Sequence, residues 1–196
     1  MKKLIFFLLC IPFISFSQEG LGEYYKSNNH PKSKGLNFQI KKPLGFEQME
    51  ADRPNIVQKW MKDRYDNNKL VMFMVQVRYL PKEIQSVSKK EWTQYFKYET
   101  GVSDIIEEMN SMDNSFANNG KYFNLDNHPG VYYEGYMDMD RLDVRYRLYH
   151  KTIQVFVDNY IFLLQINSPV KSVLESNNFL FRNLANSVIF TDQYGF

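Results

Sequence analysis

The chain has 196 residues with 24 basic and 22 acidic side chains, and the surplus lies in Lys2 and Lys3. Without those two the charges balance, so generic binding to a nucleic-acid backbone lacks its driving force. Cys10, the single cysteine, lies in the leader, which excludes disulfides and thiolate metal sites from the rest of the chain and leaves stability to a packed core.

Lys2 and Lys3 precede an almost wholly apolar run, Leu4 to Phe16, and Ser15-Phe16-Ser17 puts small residues where a signal peptidase reads. Residues 1–17 therefore read as a secretory signal peptide cut before Gln18, placing the mature chain in the periplasm or outside the cell. The run is shorter than the ~20 residues a membrane-spanning helix needs, and Leu9 before Cys10 disfavours a lipoprotein signal. Residues 18–35, with Gly20, Gly22, Pro31 and Asn28-Asn29-His30, read as a polar tether. A single domain is expected over 36–196.

Leu36, Phe38 and Ile40 alternate with polar residues in a first strand that Pro43 and Gly45 stop. Asn55 to Lys62 and Lys69 to Leu80 predict a hairpin about Asp66-Asn67-Asn68. Its second arm is apolar on both faces and requires cover on both. Ser88-Lys89-Lys90-Glu91 has capping-box spacing and opens a helix with Trp92, Tyr95 and Phe96 on one face. Gly101 interrupts it, and Val102, Ile105, Ile106, Met109 and Met112 continue the helical period, with Ser103 as a new cap. Asn118-Asn119-Gly120 reads as a turn.

From Val131 to Tyr149 the pattern predicts a hairpin with its turn at Met139-Asp140. Met137 then faces Leu142, Tyr133 faces Tyr146, Glu134 faces Arg145 and Tyr132 faces Arg147. Beyond His150 the apolar parity flips to Ile153, Val155 and Val157, which predicts a bulge or a strand break near Tyr149 to Thr152. Asp158-Asn159 makes a two-residue turn into Tyr160 to Ile166, apolar on both faces. Ser172-Val173-Leu174-Glu175 predicts a capping box, Leu180, Phe181 and Leu184 the last helix, and Val188-Ile189-Phe190 a closing apolar run. The elements together predict an α/β fold: a mostly antiparallel sheet with helices on both faces, an α/β/α sandwich.

Pro43-Leu44-Gly45-Phe46, His128-Pro129-Gly130 and the tail Leu184 to Phe190 resemble turn and packing signatures of the PsbP-like superfamily. That group spans an extrinsic photosystem subunit, a Ran-binding import factor, and bacterial envelope and secretion-adaptor relatives. Asn127 stands where the family usually carries glycine. The resemblance covers Leu36 to Phe190 and implies an α/β/α sandwich whose members mostly act as non-catalytic binding or assembly factors.

His30, His128 and His150 lack partners at ligand spacing, and residues 138–143 match a calcium loop only in their acids, so no metal or cofactor is expected. The chain has no Gly-x-Ser-x-Gly elbow, phosphate loop or Gly-x-Gly-x-x-Gly turn, which argues against an enzyme. The best candidate surface is Tyr132, Tyr136, Arg145, Arg147 and Tyr149, residue types that interface hot spots favour, on one face of the predicted hairpin. The alternative to that surface is an ordinary sheet face with Arg stems packed on Tyr rings. The leading expectation is an exported binding protein for a protein or membrane-protein segment. The other is a small-ligand binder or enzyme with a pocket between the sheet and Trp92, Tyr95 and Phe96.

Overall fold

The computed structural model describes residues 20–141 and 144–194, so the expected leader, 1–17, lies outside the described residues. Ser27 replaces the expected tether with a fold element. Its hydroxyl accepts from Phe38 N at 2.9 Å and donates to Leu36 O at 3.2 Å, and the preceding residues Leu21–Lys26 form strand β1. β1 pairs antiparallel with β2 (Phe38–Pro43), and the short closing segment 189–190 pairs with the other edge of β2. Ser27, and Ser33 with its hydroxyl donating to His30 O at 2.8 Å, thus serve side-chain-to-backbone bonds in a stretch that composition alone reads as linker.

The main sheet has seven antiparallel strands. They are β3 (Glu47–Met49), β4 (Ile56–Lys62), β5 (Val71–Tyr79), β6 (Ser115–Leu125), β7 (His128–Arg141), β8 (Val144–Val157) and β9 (Tyr160–Ser168), in spatial order β3-β4-β5-β9-β8-β7-β6. Among the described residues α1 (Lys89–Tyr98) and α2 (Gly101–Ser111) connect β5 to β6, and α3 (Lys171–Ser176) and α4 (Asn178–Asn186) follow β9 and lead to the closing segment β10 (Ile189–Phe190). On one face, Phe73, Val75, Val155, Leu164 and Ile166 pack with Phe181 and Leu184 of α4 and with Phe38 and Ile40 of β2. On the other, Trp92 and Phe96 of α1 pack on Phe156, Val131 and Tyr133. Each face carries helices, giving the α/β/α arrangement.

The Ser88 capping box forms: its Oγ accepts from Glu91 N at 3.3 Å while Glu91 Oε2 accepts from Ser88 N at 2.7 Å. Two other expected caps do not. Thr100, not Ser103, precedes α2, and α3 starts at Lys171 after Val170, which draws Ser172 into the helix. Asn118-Asn119-Gly120 is a bulge within β6 rather than a turn, with Asn119 at φ 52°. A side chain at Gly120 would meet Ile106 Cγ1 at 2.8 Å, so the bulge admits α2 close to the sheet. Asn110 of α2 then completes the edge, accepting from Ala117 N at 2.7 Å and donating to Ala117 O at 3.1 Å, as a neighbouring strand would.

β7 and β8 keep the expected faces but not the expected register. Glu134 lies opposite Lys151 rather than Arg145, Tyr132 opposite Ile153 rather than Arg147, and Tyr133 opposite Thr152 rather than Tyr146. β7 runs straight through Met139-Asp140 to Arg141, which pairs with Val144. The expected turn there is absent, and so is any bulge at Tyr149 to Thr152. The slip is an even number of residues, so side-chain parity survives. The observed register wins by extending the ladder to Gly130 opposite Val155 while still matching Asp138 with Arg147 and Asp140 with Arg145. The apolar parity flip along β8 marks a change in cover: Ile153, Val155 and Val157 enter the core under α4, whereas Arg145 and Arg147 lie beyond it.

Gly135, at the centre of this ladder, sits where a Cβ would lie 2.0 Å from Phe116 O. Gly135→Ala is expected to cost at least about 2 kcal/mol by forcing β6 and β7 apart. Urea unfolding checks this, and a loss below about 0.5 kcal/mol, the size of a neutral surface change, contradicts the close approach of β6 to β7 at this row.

Candidate functional site

All five candidate side chains lie on the face carrying the even residues of β7 and the odd residues of β8, and four of them gather at its outer end. Tyr136 lies directly opposite Tyr149, their ring centroids 6.3 Å apart and edge to face. Phe116 of β6 stacks on Tyr136 from the other side at 5.3 Å. The Arg147 guanidinium sits 3.8 Å from the Tyr136 ring centroid, a cation–π contact. Asp138 fixes that guanidinium with two bonds, accepting from Nε at 2.7 Å and from Nη2 at 3.0 Å. Arg145 approaches the same carboxylate at 3.6 Å and donates to Asn114 Oδ1 at 3.1 Å. The hydrogen bonds and charge of Arg147, joined by Arg145, hold Asp138 below the usual carboxylate range.

Tyr132, the fifth candidate, stands apart at the core end of the same face. It is half-buried, its hydroxyl donates to Glu134, and the Lys121 ammonium lies 4.7 Å from its ring centroid. On this face it is the Arg147 guanidinium, and not the arginine stem of the structural alternative, that lies over a tyrosine ring, that of Tyr136.

Between Tyr132 and the aromatic cluster lies a group that the sequence pattern missed. Lys151 is 3% exposed, and its Nζ lies 2.7 Å from Glu175 Oε2, 3.2 Å from Asn178 Oδ1 and 3.4 Å from Glu134 Oε1. A lysine taken out of water needs such partners. Here they come from β7, α3 and α4, so Lys151 ties both short helices to the sheet. Burial works to raise the Glu134 pKa, but bonds from Tyr132 and Asn119 and the charge of Lys151 prevail and hold it below the ordinary value. Detecting Lys151 from sequence needs the true register, because only that register puts it opposite Glu134. Beside this anchor a groove of about 230 Å³ runs between the sheet and α3, with Phe116, Tyr136, Tyr149, Arg147 and Leu174 among its walls.

The expected pocket beside Trp92, Tyr95 and Phe96 does not form. The Trp92 and Phe96 rings lie 4.5 and 4.7 Å from Phe156, filling the space between helix and sheet. Tyr95 turns its hydroxyl to Asp104. The apolar helix face is core rather than a ligand wall.

Behind the aromatic cluster, on the opposite face of β8, His150 is 5% exposed and shares its Nδ1 with Thr152 Oγ1 at 3.1 Å. Its Nε2 is buried without a hydrogen-bond partner, and burial pushes its pKa down to about 4 from the ordinary 6.5. The unfolded chain therefore binds more protons than the folded one between those values, and stability falls as pH drops through that window. His128, also pushed down by burial, acts in the same direction, whereas the depressed carboxylates of Glu134 and Asp138 act at lower pH. Wild type is expected to lose about 2 kcal/mol through His150 between pH 7 and pH 5. His150→Gln is expected to flatten most of that slope, as urea unfolding at both pH values will read; an equal slope in both proteins contradicts the neutral buried imidazole.

No protein-family model and no curated protein matches the chain by sequence. Among solved structures, the Ran-binding protein Mog1p of Saccharomyces cerevisiae superposes with a TM-score of 0.51 at 6% identity, covering 88% of this chain and 96% of Mog1p. Cyanobacterial PsbP (CyanoP) from Synechocystis sp. PCC 6803 superposes at 0.47 and 11% identity, over 86% of this chain and 91% of its own. LpqN, involved in cell envelope biogenesis of Mycobacterium tuberculosis, superposes at 0.47 and 11%, over 77% and 81%. What is shared at such identities is the path of the backbone. The superposition on Mog1p, running over most of both chains, shows that this chain shares the fold of Mog1p.

Proposed function

We propose that the chain is an exported, non-catalytic binding protein that takes a protein or membrane-protein segment on the platform of Tyr136, Arg147 and Tyr149, flanked by Arg145. The observation that carries this reading is the preorganised arginine. Asp138 grips one edge of the Arg147 guanidinium and Tyr136 supports one of its faces, yet the side chain remains 44% exposed. A planar cation already fixed in place loses little freedom when a partner carboxylate or carbonyl binds it. Tyrosines beside it add rigid apolar area at low entropic cost. The leader at residues 1–17 supports export, with Gln18 as the first mature residue. The Ran-binding activity of Mog1p supports a protein-binding role through shared fold alone.

A photo-crosslinking residue placed at Tyr149 in the exported chain tests this reading. Tyr65, which is 88% exposed and away from the platform, is the control position. The expected result is one crosslinked partner from position 149 that Arg147→Ala removes, on a chain whose N-terminal residue is Gln18. Equal products from both positions, or none from 149, overturn the platform, and a retained leader overturns export.

A further inference from the structure

The face of the sheet opposite the platform is only partly covered. α1 and α2 stand over β6, β7 and β8, and their apolar cluster ends at Ile161 of β9. Beyond it, Met61 of β4, Met72 and Met74 of β5 and Leu163 of β9 belong to neither apolar cluster, although all lie on this face. The sequence of β5 demands cover on both faces, but Met72 and Met74 stay half-exposed.

Leu163 is 5% exposed, and its neighbours within the sheet on this face are polar. Gln76 and Gln154 lie opposite it on the two neighbouring strands, and Gln165 is two residues further along β9. Gln76 donates to Gln165 Oε1 at 2.5 Å and Gln165 donates to Thr152 Oγ1 at 3.0 Å, so a bonded row of amides flanks the leucine. Amide side chains are flexible and can swing aside to admit an apolar anchor, and methionines repack around varied shapes. The charged side chains that β4, β5, β8 and β9 place on this face are Lys59 and Arg78, both basic, with Glu47 of β3 at the rim beyond Met61.

We infer that this strip docks one amphipathic helix of a partner, carrying Leu or Met anchors and flanking carboxylates. Its size favours a single helix. Six residue steps along β5 span about 20 Å, or about 13 residues of helix, and four strands span about 14 Å, close to one helix diameter. The resulting area, on the order of 300 Å², is well below the roughly 800 Å² per partner of a stable dimer. α1, which reaches β8, stands along one side, and the two cations match acidic flanks. The strip is independent of the platform, since it lies on the other side of the sheet, and the two together would let the chain bridge two partners.

The test uses the mature chain labelled at its methionine methyls and two synthetic 14-residue helices with the same Leu/Met stripe, one flanked by Glu and one by Lys. The Glu-flanked helix is expected to shift the methyl signals of Met72 and Met74 but not that of Met109 in α2. Arg78→Glu is expected to weaken it about tenfold and to admit the Lys-flanked helix. Met74→Gln, at a half-exposed position, is a milder variant expected to weaken binding with the fold intact, and Tyr136→Ala is expected to leave it unchanged. Equal binding of the two helices, absence of shifts at Met72 and Met74, or loss with Tyr136→Ala each overturns the inference. Concentration-dependent shifts without any helix also overturn it, in favour of a second copy of this chain.

Discussion

The candidate site depends on the pairing of β7 with β8. That ladder sets Asp138 against Arg147, Tyr136 against Tyr149 and Glu134 against Lys151, and each pair then acquires a third partner from elsewhere in the chain. Phe116 arrives from β6, Arg145 from the next row, and Glu175 and Asn178 from the helices after β9. A one-residue slip would turn all these side chains to the other face and carry Tyr133 out of its core. Gly135 adds a steric condition, since its row accepts no side chain against Phe116 O.

The same ladder explains why the two ends of one strand behave differently. At its far end β8 is covered by α4 and by the small sheet, and Ile153 and Val155 are core. At its near end the cover stops at α3, leaving aromatic rings and guanidinium groups at the surface. Lys151 sits at the boundary, where the cost of burying an ammonium is offset by two carboxylates and an amide oxygen. The arrangement presents planar groups on a rigid support.

Much of the fold is legible in local pattern. The Ser88 capping box, the Asp158-Asn159 turn and the alternation of β2 are each decided by neighbouring residues, and the structure contains each of them. The double-sided apolar run of β9 likewise places it centrally, between β5 and β8. What pattern misreads depends on distant contacts. Residues 21–26 look like a linker because their partners, β2 and the serine bonds, lie further along. Asn119-Gly120 has turn chemistry that is spent on a bulge because α2 must approach. The hairpin register has more than one even-spaced solution that keeps the parity and sets acids against arginines. Ladder length, which pattern over Val131 to Tyr149 does not contain, decides between them. For the site, this means the shared face of Tyr136, Arg147 and Tyr149 is readable in the sequence, while their partners and the role of Lys151 are not.

Because Cys10 is the single cysteine and lies in the expected leader, paired cysteines report the register without background in the mature chain. Tyr136→Cys with Tyr149→Cys should oxidise to a disulfide, since directly opposed residues bring their Cβ atoms within bonding reach. Glu134→Cys with Arg145→Cys should stay reduced under the same conditions, because those positions face different partners. Ready oxidation of the second pair and not the first would contradict the ladder, and with it the platform that the ladder builds.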